Sequence, residues 1–328
     1  MSGPDAIRIG EAAEGAGDFL GASAAYQSAL AESDPRLIAD AHFHLGRVGW
    51  RQGRYDDAVA QYEQARALAM SVGANELRAR VENGLGVVHH ARGALAQARA
   101  SYAVALELTE DETQRGRVML NLGAVANVEG DFAAARSCYE RSRAIFQRTG
   151  FARGEASALH NLGMLNADEA RWTEADEAYG QCLQLLETLE DRHGVASVLL
   201  NRSELSCAND QFDDAVGSCD LALSMFADVG DEVGRGEALR WKGHALRRLG
   251  RFSAADDTLG DAIRIARRAQ VKLLEAEASW DFGLSRAGQS DRAGARKALE
   301  RAHALFEELG AQRELADVQG DIDTIARG

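Results

Sequence analysis

Alanine holds one fixed place in a recurring pattern of small, large and polar positions: Ala22, Ala58, Ala98, Ala135, Ala175, Ala215, Ala255 and Ala295. The spacings are 36, 40, 37, 40, 40, 40 and 40 residues. Twelve positions before each alanine stands a small residue: Gly10, Gly46, Gly86, Gly123, Gly163, Ser203, Gly243 and Gly283. Four positions after it comes Tyr26, Tyr62, Tyr102, Tyr139, Tyr179, Cys219, Leu259 or Leu299, and three further on a small residue returns. Offsets of four and three lie on one stripe of an α-helix, so the pattern predicts a helix that packs one face closely. A second amphipathic segment precedes it, as in Arg80 to His90 or Ala158 to Asp168. Between the two, Gly17, Gly53, Gly93, Gly130 and Gly250 mark a turn. Glycine past a helix end adopts the left-handed conformation without strain. The unit is therefore helix, turn, helix, with the tyrosine expected to fill the space between adjacent units.

A unit that recurs at this period is one element of an array rather than a single globular core. His44-Leu45-Gly46, Gly53, Tyr55, Ala58, Tyr62 and Ala65 resemble the tetratricopeptide repeat, as do Asn121-Leu122-Gly123, Gly130, Phe132, Ala135 and Tyr139. Most units here run to 40 residues, against roughly 34 in the family, and the proline that usually closes each repeat is missing. The chain is thus similar to the long-repeat subclass of kinesin light chain and bacterial peptide-sensing regulators. The sixth repeat, with Arg202-Ser203 and Cys219, and the eighth, with Ser290 and Arg292, depart from the pattern. The resemblance implies an all-α, right-handed α-solenoid superhelix of about eight units. The repeats are placed at 5–35, 38–74, 78–114, 115–150, 155–190, 195–230, 235–270 and 275–309, with a capping helix at 311–327, in one domain spanning 1–328.

Composition narrows the function classes. The net charge of -14 argues against nucleic acid as partner, because phosphate neutralisation needs a basic face. The start, Met1-Ser2-Gly3-Pro4-Asp5, lacks the basic and apolar regions of a signal peptide, and no stretch reaches the ~20 apolar residues of a membrane span. A cytoplasmic location is expected. Cys138, Cys182, Cys207 and Cys219 have no metal-like spacing and read as reduced packing residues.

Chemistry-bearing motifs are sparse. There is no P-loop, dinucleotide fingerprint or nucleophile elbow, and Gly84-Leu85-Gly86 reads as repeat packing. His42 with His44, and His89 with His90, are too close in sequence to share a helix face. No metal, no cofactor and no enzymatic activity are expected.

Function then falls to the face of the first helices, which line the inner surface by resemblance. Relative to the repeat glycine, positions three before, one after and four after share a face. They are Phe43, Arg47 and Trp50; Asn83, Val87 and His90; Leu120, Ala124 and Asn127; and His160, Met164 and Ala167 in the second to fifth repeats. Leu200, Glu204 and Cys207; Arg240, His244 and Arg247; and Trp280, Leu284 and Ala287 follow in the sixth to eighth. Asn121, Asn161 and Asn201 recur in three consecutive repeats. Such amides either hold the backbone of an extended peptide or bond neighbouring helices. Arg240, His244 and Arg247 are expected to receive a carboxylate, a phosphate or an acidic side chain, or to form a solvated face balanced by Glu237, Asp256 and Asp257. Phe43, Arg47, Trp50 and Arg51 make an aromatic–arginine cluster suited to anchoring a partner or to packing at the mouth of the first repeats.

The expected function is a protein- or peptide-binding scaffold whose groove holds an extended segment with an acidic or C-terminal carboxylate group. Two alternatives stand beside it. One is a sensing module acting through a partner transcription or signalling protein. The other is a self-assembling unit that stacks through Ile7 and Ile9 as a homo-oligomer.

Overall fold

The computed structural model describes residues 2–327, and among them the only regular secondary structure is helix. Two compact units divide the chain, residues 1–165 and 166–328. The first contains α1 (Gly3–Gly15), α2 (Phe19–Ala29), α3 (Pro35–Arg51), α4 (Tyr55–Ser71), α5 (Asn75–Ala91), α6 (Leu95–Leu108), α7 (Glu112–Val128) and α8 (Phe132–Thr149). Helix α9 (Ala152–Asp168) includes the boundary between the units. The second contains α10 (Trp172–Thr188), α11 (Arg192–Ala208), α12 (Phe212–Val229), α13 (Glu232–Arg248), α14 (Phe252–Ala269), α15 (Lys272–Gly288), α16 (Arg292–Leu309) and α17 (Gln312–Arg327). Aspartates start many of these helices by accepting backbone N–H bonds, as Asp18 does from Gly21 at 2.8 Å and Asp231 from Gly234 at 2.9 Å.

Among the described residues of each unit, helices pack on the next and next-but-one elements, which is the contact pattern of a solenoid. Odd-numbered helices touch one another, α3 on α5 and α5 on α7, or α11 on α13 and α13 on α15. Among the described residues, even-numbered helices such as α4 and α6 share no such contact. Each unit therefore curves with its odd-numbered helices on the inner side.

Small residues set this close packing. All eight repeat alanines are at 0% exposure. The repeat glycine faces the large residue of its own repeat. A Cβ on Gly86 would lie 2.4 Å from Tyr102, and one on Gly243 would lie 2.4 Å from Leu259. The tyrosine thus fills the space inside its own repeat first, which corrects the expectation that it sits between units. Tyr62 does both, because a Cβ on Gly84 of the following repeat would also meet it, at 2.6 Å. In the sixth repeat the pair is Ser203 with Cys219, a larger small residue facing a smaller large one, both at 0% exposure.

The turns inside repeats use the left-handed conformation throughout the later repeats, with or without glycine. Gly130 and Gly250 have φ of 79° and 72°, and Ala170, Asp210 and Ser290 take the equivalent places at 55°, 58° and 64°. A side chain in this region strains the backbone. Ala170→Gly is expected to raise the unfolding free energy by about 0.5–1 kcal/mol. A denaturant midpoint that stays put or falls for Ala170→Gly would show that the alanine Cβ makes a compensating contact.

Helix α17 covers the last repeat. Val318 is fully buried, Trp280 packs edge-on against Phe306, and the Trp280 indole donates to Asp321 at 2.7 Å. At the other end Ile7 is buried in the first repeat's core and Ile9 is half-exposed, so Ile7 is not part of an open stacking face.

Candidate binding cavities

The inner side of the first unit holds a cavity of about 450 Å3. Helix α3 contributes Phe43, Arg47 and Trp50; α4 contributes Tyr62; and α5 contributes Arg80, Asn83, Gly84 and Val87. The start of α7 closes it with Asp111, Thr113, Gln114 and Arg117. The structure thereby brings together five residues of the face expected from sequence, Phe43, Arg47, Trp50, Asn83 and Val87. It adds Arg80 and Arg117, both six positions before their repeat glycine and 37 residues apart. That recurrence was the available signal, outside the three positions used to define the face.

Partners decide which of these groups are open to a ligand. Arg47 makes a bidentate pair with buried Glu14, at 2.8 and 2.7 Å, and Glu14 also accepts from Tyr26 at 3.0 Å. Arg80 gives one N–H to Asp40 at 3.2 Å and lies over the Phe43 ring at 4.3 Å. Arg117 lies over the Phe151 ring at 4.8 Å and has no hydrogen bond or ion pair among the described residues. Burial pulls the Arg117 pKa below its ordinary value; Asp111 opposes this, and the charges of Arg47 and Arg80 add to it. Asn83 accepts from Asn121 at 3.0 Å, leaving its own N–H2 free. The Gln114 amide nitrogen is buried without an acceptor, a state that costs roughly 1–3 kcal/mol.

The Asn121–Asn83 bond joins neighbouring odd-numbered helices, the second of the two roles considered for the asparagines. Asn161 is half-buried on α9, and Asn201 lines a cavity in the second unit. His90 and Asn127 are half-buried but outside the first cavity's lining, and the Asn127 amide oxygen has no donor. His160 is half-buried, and burial pulls its pKa below the ordinary histidine value. Trp280 is held by α17 as described above, so it belongs to the terminal cap rather than to an open groove.

The second unit's cavity, about 240 Å3, has the opposite character. Arg240 is there, but with Glu204, Glu237 and Glu277 and the apolar Leu200, Leu273 and Leu274. Arg240 lies over Trp241 at 3.9 Å and pairs with Glu277 at 3.4 Å. His244 and Arg247 do project together, onto the buried Asp281 carboxylate at 2.9 and 3.0 Å. Each cation of the expected basic pocket thus already has an acidic partner supplied by α15. The partners are Glu277 and Asp281, not the Glu237, Asp256 and Asp257 considered from sequence. Asp256 instead pairs with Arg286 at 3.1 Å.

These carboxylates split in their pH response. Burial raises the pKa of Glu204, Glu237 and Glu277, with Arg240 only partly opposing it. Burial also acts upward on Asp281, but the His244 bond and the Arg247 charge outweigh it and leave the pKa low. A raised glutamate destabilises the folded state while ionised, and the loss disappears as pH falls toward its unfolded pKa. A depressed aspartate stabilises above its unfolded pKa and loses that contribution as pH falls through the folded one. The contribution of these three glutamates to stability is therefore expected to rise as pH falls from 7 toward the ordinary glutamate value of 4.5, and that of Asp281 to drop below the ordinary aspartate value of 3.8, while the lowered His160 acts against the rise. Glu277→Gln should reduce this rise in a series of thermal melts; an unchanged slope would exclude Glu277 as a source of it.

None of the four cysteines is in a disulfide, and burial pushes the Cys207 and Cys219 thiols up to about 12 and about 11, so both stay protonated at neutral pH. Among the described residues, no group of three potential ligands stands at metal-binding spacing, and no helix is long and apolar enough to cross a membrane.

With the helix-turn-helix period and inner face established, the match to a known family is decisive. The tetratricopeptide repeat family model matches residues 37–111 and 114–188. Residues 37–111 and 114–188 are tetratricopeptide repeats. Their 40-residue period places them in the long-repeat subclass. Among solved structures, the chain is similar to a Rap protein complexed with competence and sporulation factor, at 13% identity and a TM-score of 0.67. That match covers 99% of this chain and 96% of the other. A signal transduction ATPase with numerous domains and a tetratricopeptide repeat sensor, from Pyrococcus horikoshii, matches at 12% identity and a TM-score of 0.68. It is covered over 52% of its length by 94% of this chain. A kinesin light chain-like repeat protein from Podosopora anserina matches at 17% identity and a TM-score of 0.51, over 61% of this chain and 99% of the other. At these identities the likeness shows the fold. The curated proteins contain no match to this sequence.

Proposed function

We propose that the protein is a non-enzymatic interaction module that binds an extended protein or peptide segment along its odd-numbered helices. The carrying observation is the first-unit cavity, where Trp50, Val87 and unfilled donors on Asn83 and Arg117 face a common space. A cavity with apolar walls and a few directed polar groups is the usual form of a recognition site. Trp50 is a suitable anchor, and an amide such as Asn83 suits peptide backbone. A sensing role within a regulatory system is the second reading. It is favoured by the likeness to a Rap protein complexed with a factor and to a repeat sensor attached to an ATPase.

The test is affinity selection from a synthetic library of short random peptides. Retained peptides are expected to lose about tenfold or more in affinity with Trp50→Ala. They should be unaffected by Gln97→Ala, at an exposed position of α6 outside the cavity lining. Equal effects at Trp50 and Gln97 would remove the cavity from the account.

A further inference from the structure

We infer that the first-unit cavity is a carboxylate site: Arg117 and Arg80 receive a carboxylate of the bound segment, while an apolar side chain of that segment lies against Trp50 and Val87. This rests on the peptide-binding reading and specifies its ligand chemistry.

The argument is a count of donors against acceptors. Three arginines line the cavity and one aspartate opposes them. Glu14 occupies Arg47, and Asp40 takes a single N–H of Arg80. Arg117 retains its full set of guanidinium donors, Asn83 retains its amide N–H2, and the Gln114 amide nitrogen lacks an acceptor. Asp111 answers this excess only in part, because it carries one charge against three and its Oδ1 already accepts the backbone N–H groups of Thr113 and Gln114 at 2.7 and 3.1 Å. The same capping occupies the Thr113 and Gln114 amides at the start of α7, and the side chains form the site.

What the wall lacks is enough negative charge, since its one carboxylate, Asp111, stands against three guanidinium groups. A planar carboxylate fits the fork of a guanidinium, and stacking of Arg117 on Phe151 and of Arg80 on Phe43 holds both forks in place. The protein's net charge of -14 makes such a local excess of cationic donors selective. The second-unit cavity, with three glutamates around Arg240, has the reverse sign and does not suit this group.

The probes are peptides retained from the free-carboxylate random library, resynthesised in two neutral forms. One form carries a C-terminal amide and the other replaces each Asp or Glu by Asn or Gln. Wild-type protein is expected to lose about ten- to a hundredfold in affinity for one of the two forms, which identifies the carboxylate as terminal or side-chain. Arg117→Gln should impose a similar loss for the acidic peptide and none for its neutral form. Arg117→Lys should fall between, since it keeps charge without the fork. Arg117 makes no ion pair and its one described contact is with the Phe151 ring, so its variants should melt close to the wild type. If neutral peptides bind equally and Arg117→Gln changes nothing while Trp50→Ala still weakens binding, the carboxylate site is wrong and the peptide reading stands. If no peptide responds to either Trp50 or Arg117, both fail.

Discussion

Gly86→Ser is expected to destabilise the third repeat by about 1–3 kcal/mol. A Cβ at position 86 would stand 2.4 Å from a ring carbon of Tyr102, which is only 1% exposed and has no free space to enter. The sixth repeat shows how the fold accommodates a larger residue there, since Ser203 is matched by Cys219 rather than tyrosine. Tyr102→Cys alone should cost about 3–5 kcal/mol through the cavity it leaves. Together the two changes should cost less than the sum of the singles, by roughly 1–3 kcal/mol, because each relieves the defect made by the other. Denaturant unfolding followed by circular dichroism gives the cycle. Strict additivity would mean that the glycine–tyrosine contact does not set the repeat.

The second large effect is expected at Arg47. Removing it as Arg47→Met leaves Glu14, only 4% exposed, without its bidentate partner. Uncompensated buried charge is costly, and a loss of about 2–4 kcal/mol is expected. The figure is at the lower side because Arg47 is partly solvated and Arg51 stands 3.5 Å from Glu14. Glu14→Leu combined with Arg47→Met should recover most of the loss, since the pair then leaves together. Protection of the α1–α4 amides from hydrogen exchange reads this locally, which suits a repeat protein whose parts open separately. A double variant as unstable as Arg47→Met would show that the arginine acts through packing rather than through Glu14.

The helix-turn-helix array was readable because packing repeats: Ala58 and Ala98 recur since every repeat needs the same close contact. Turns were readable where glycine marked them and silent at Ala170, Asp210 and Ser290, where the solenoid imposes a positive φ on residues that do not prefer it. Phe43, Arg47, Trp50 and Asn83 were legible as a face because helical geometry alone relates them. Arg80 and Arg117 were missed because the cavity extends a further turn toward the helix starts than that face did. The pairing of Arg247 with Asp281 was also hidden. It depends on how α13 and α15 are rotated against each other, which a period in sequence does not specify. Trp280 looked like an inner-face anchor until α17 was seen to cover it.

The central claim is that ligand lies in the first-unit cavity, between α3, α5 and the start of α7. The direct measurement is photo-crosslinking from a benzophenone amino acid placed at Val87 or at Gln97, using a peptide retained from the library. The account predicts a crosslink from Val87 that Arg117→Gln diminishes, and none from Gln97. Equal crosslinking from both positions, or from Gln97 alone, would contradict it.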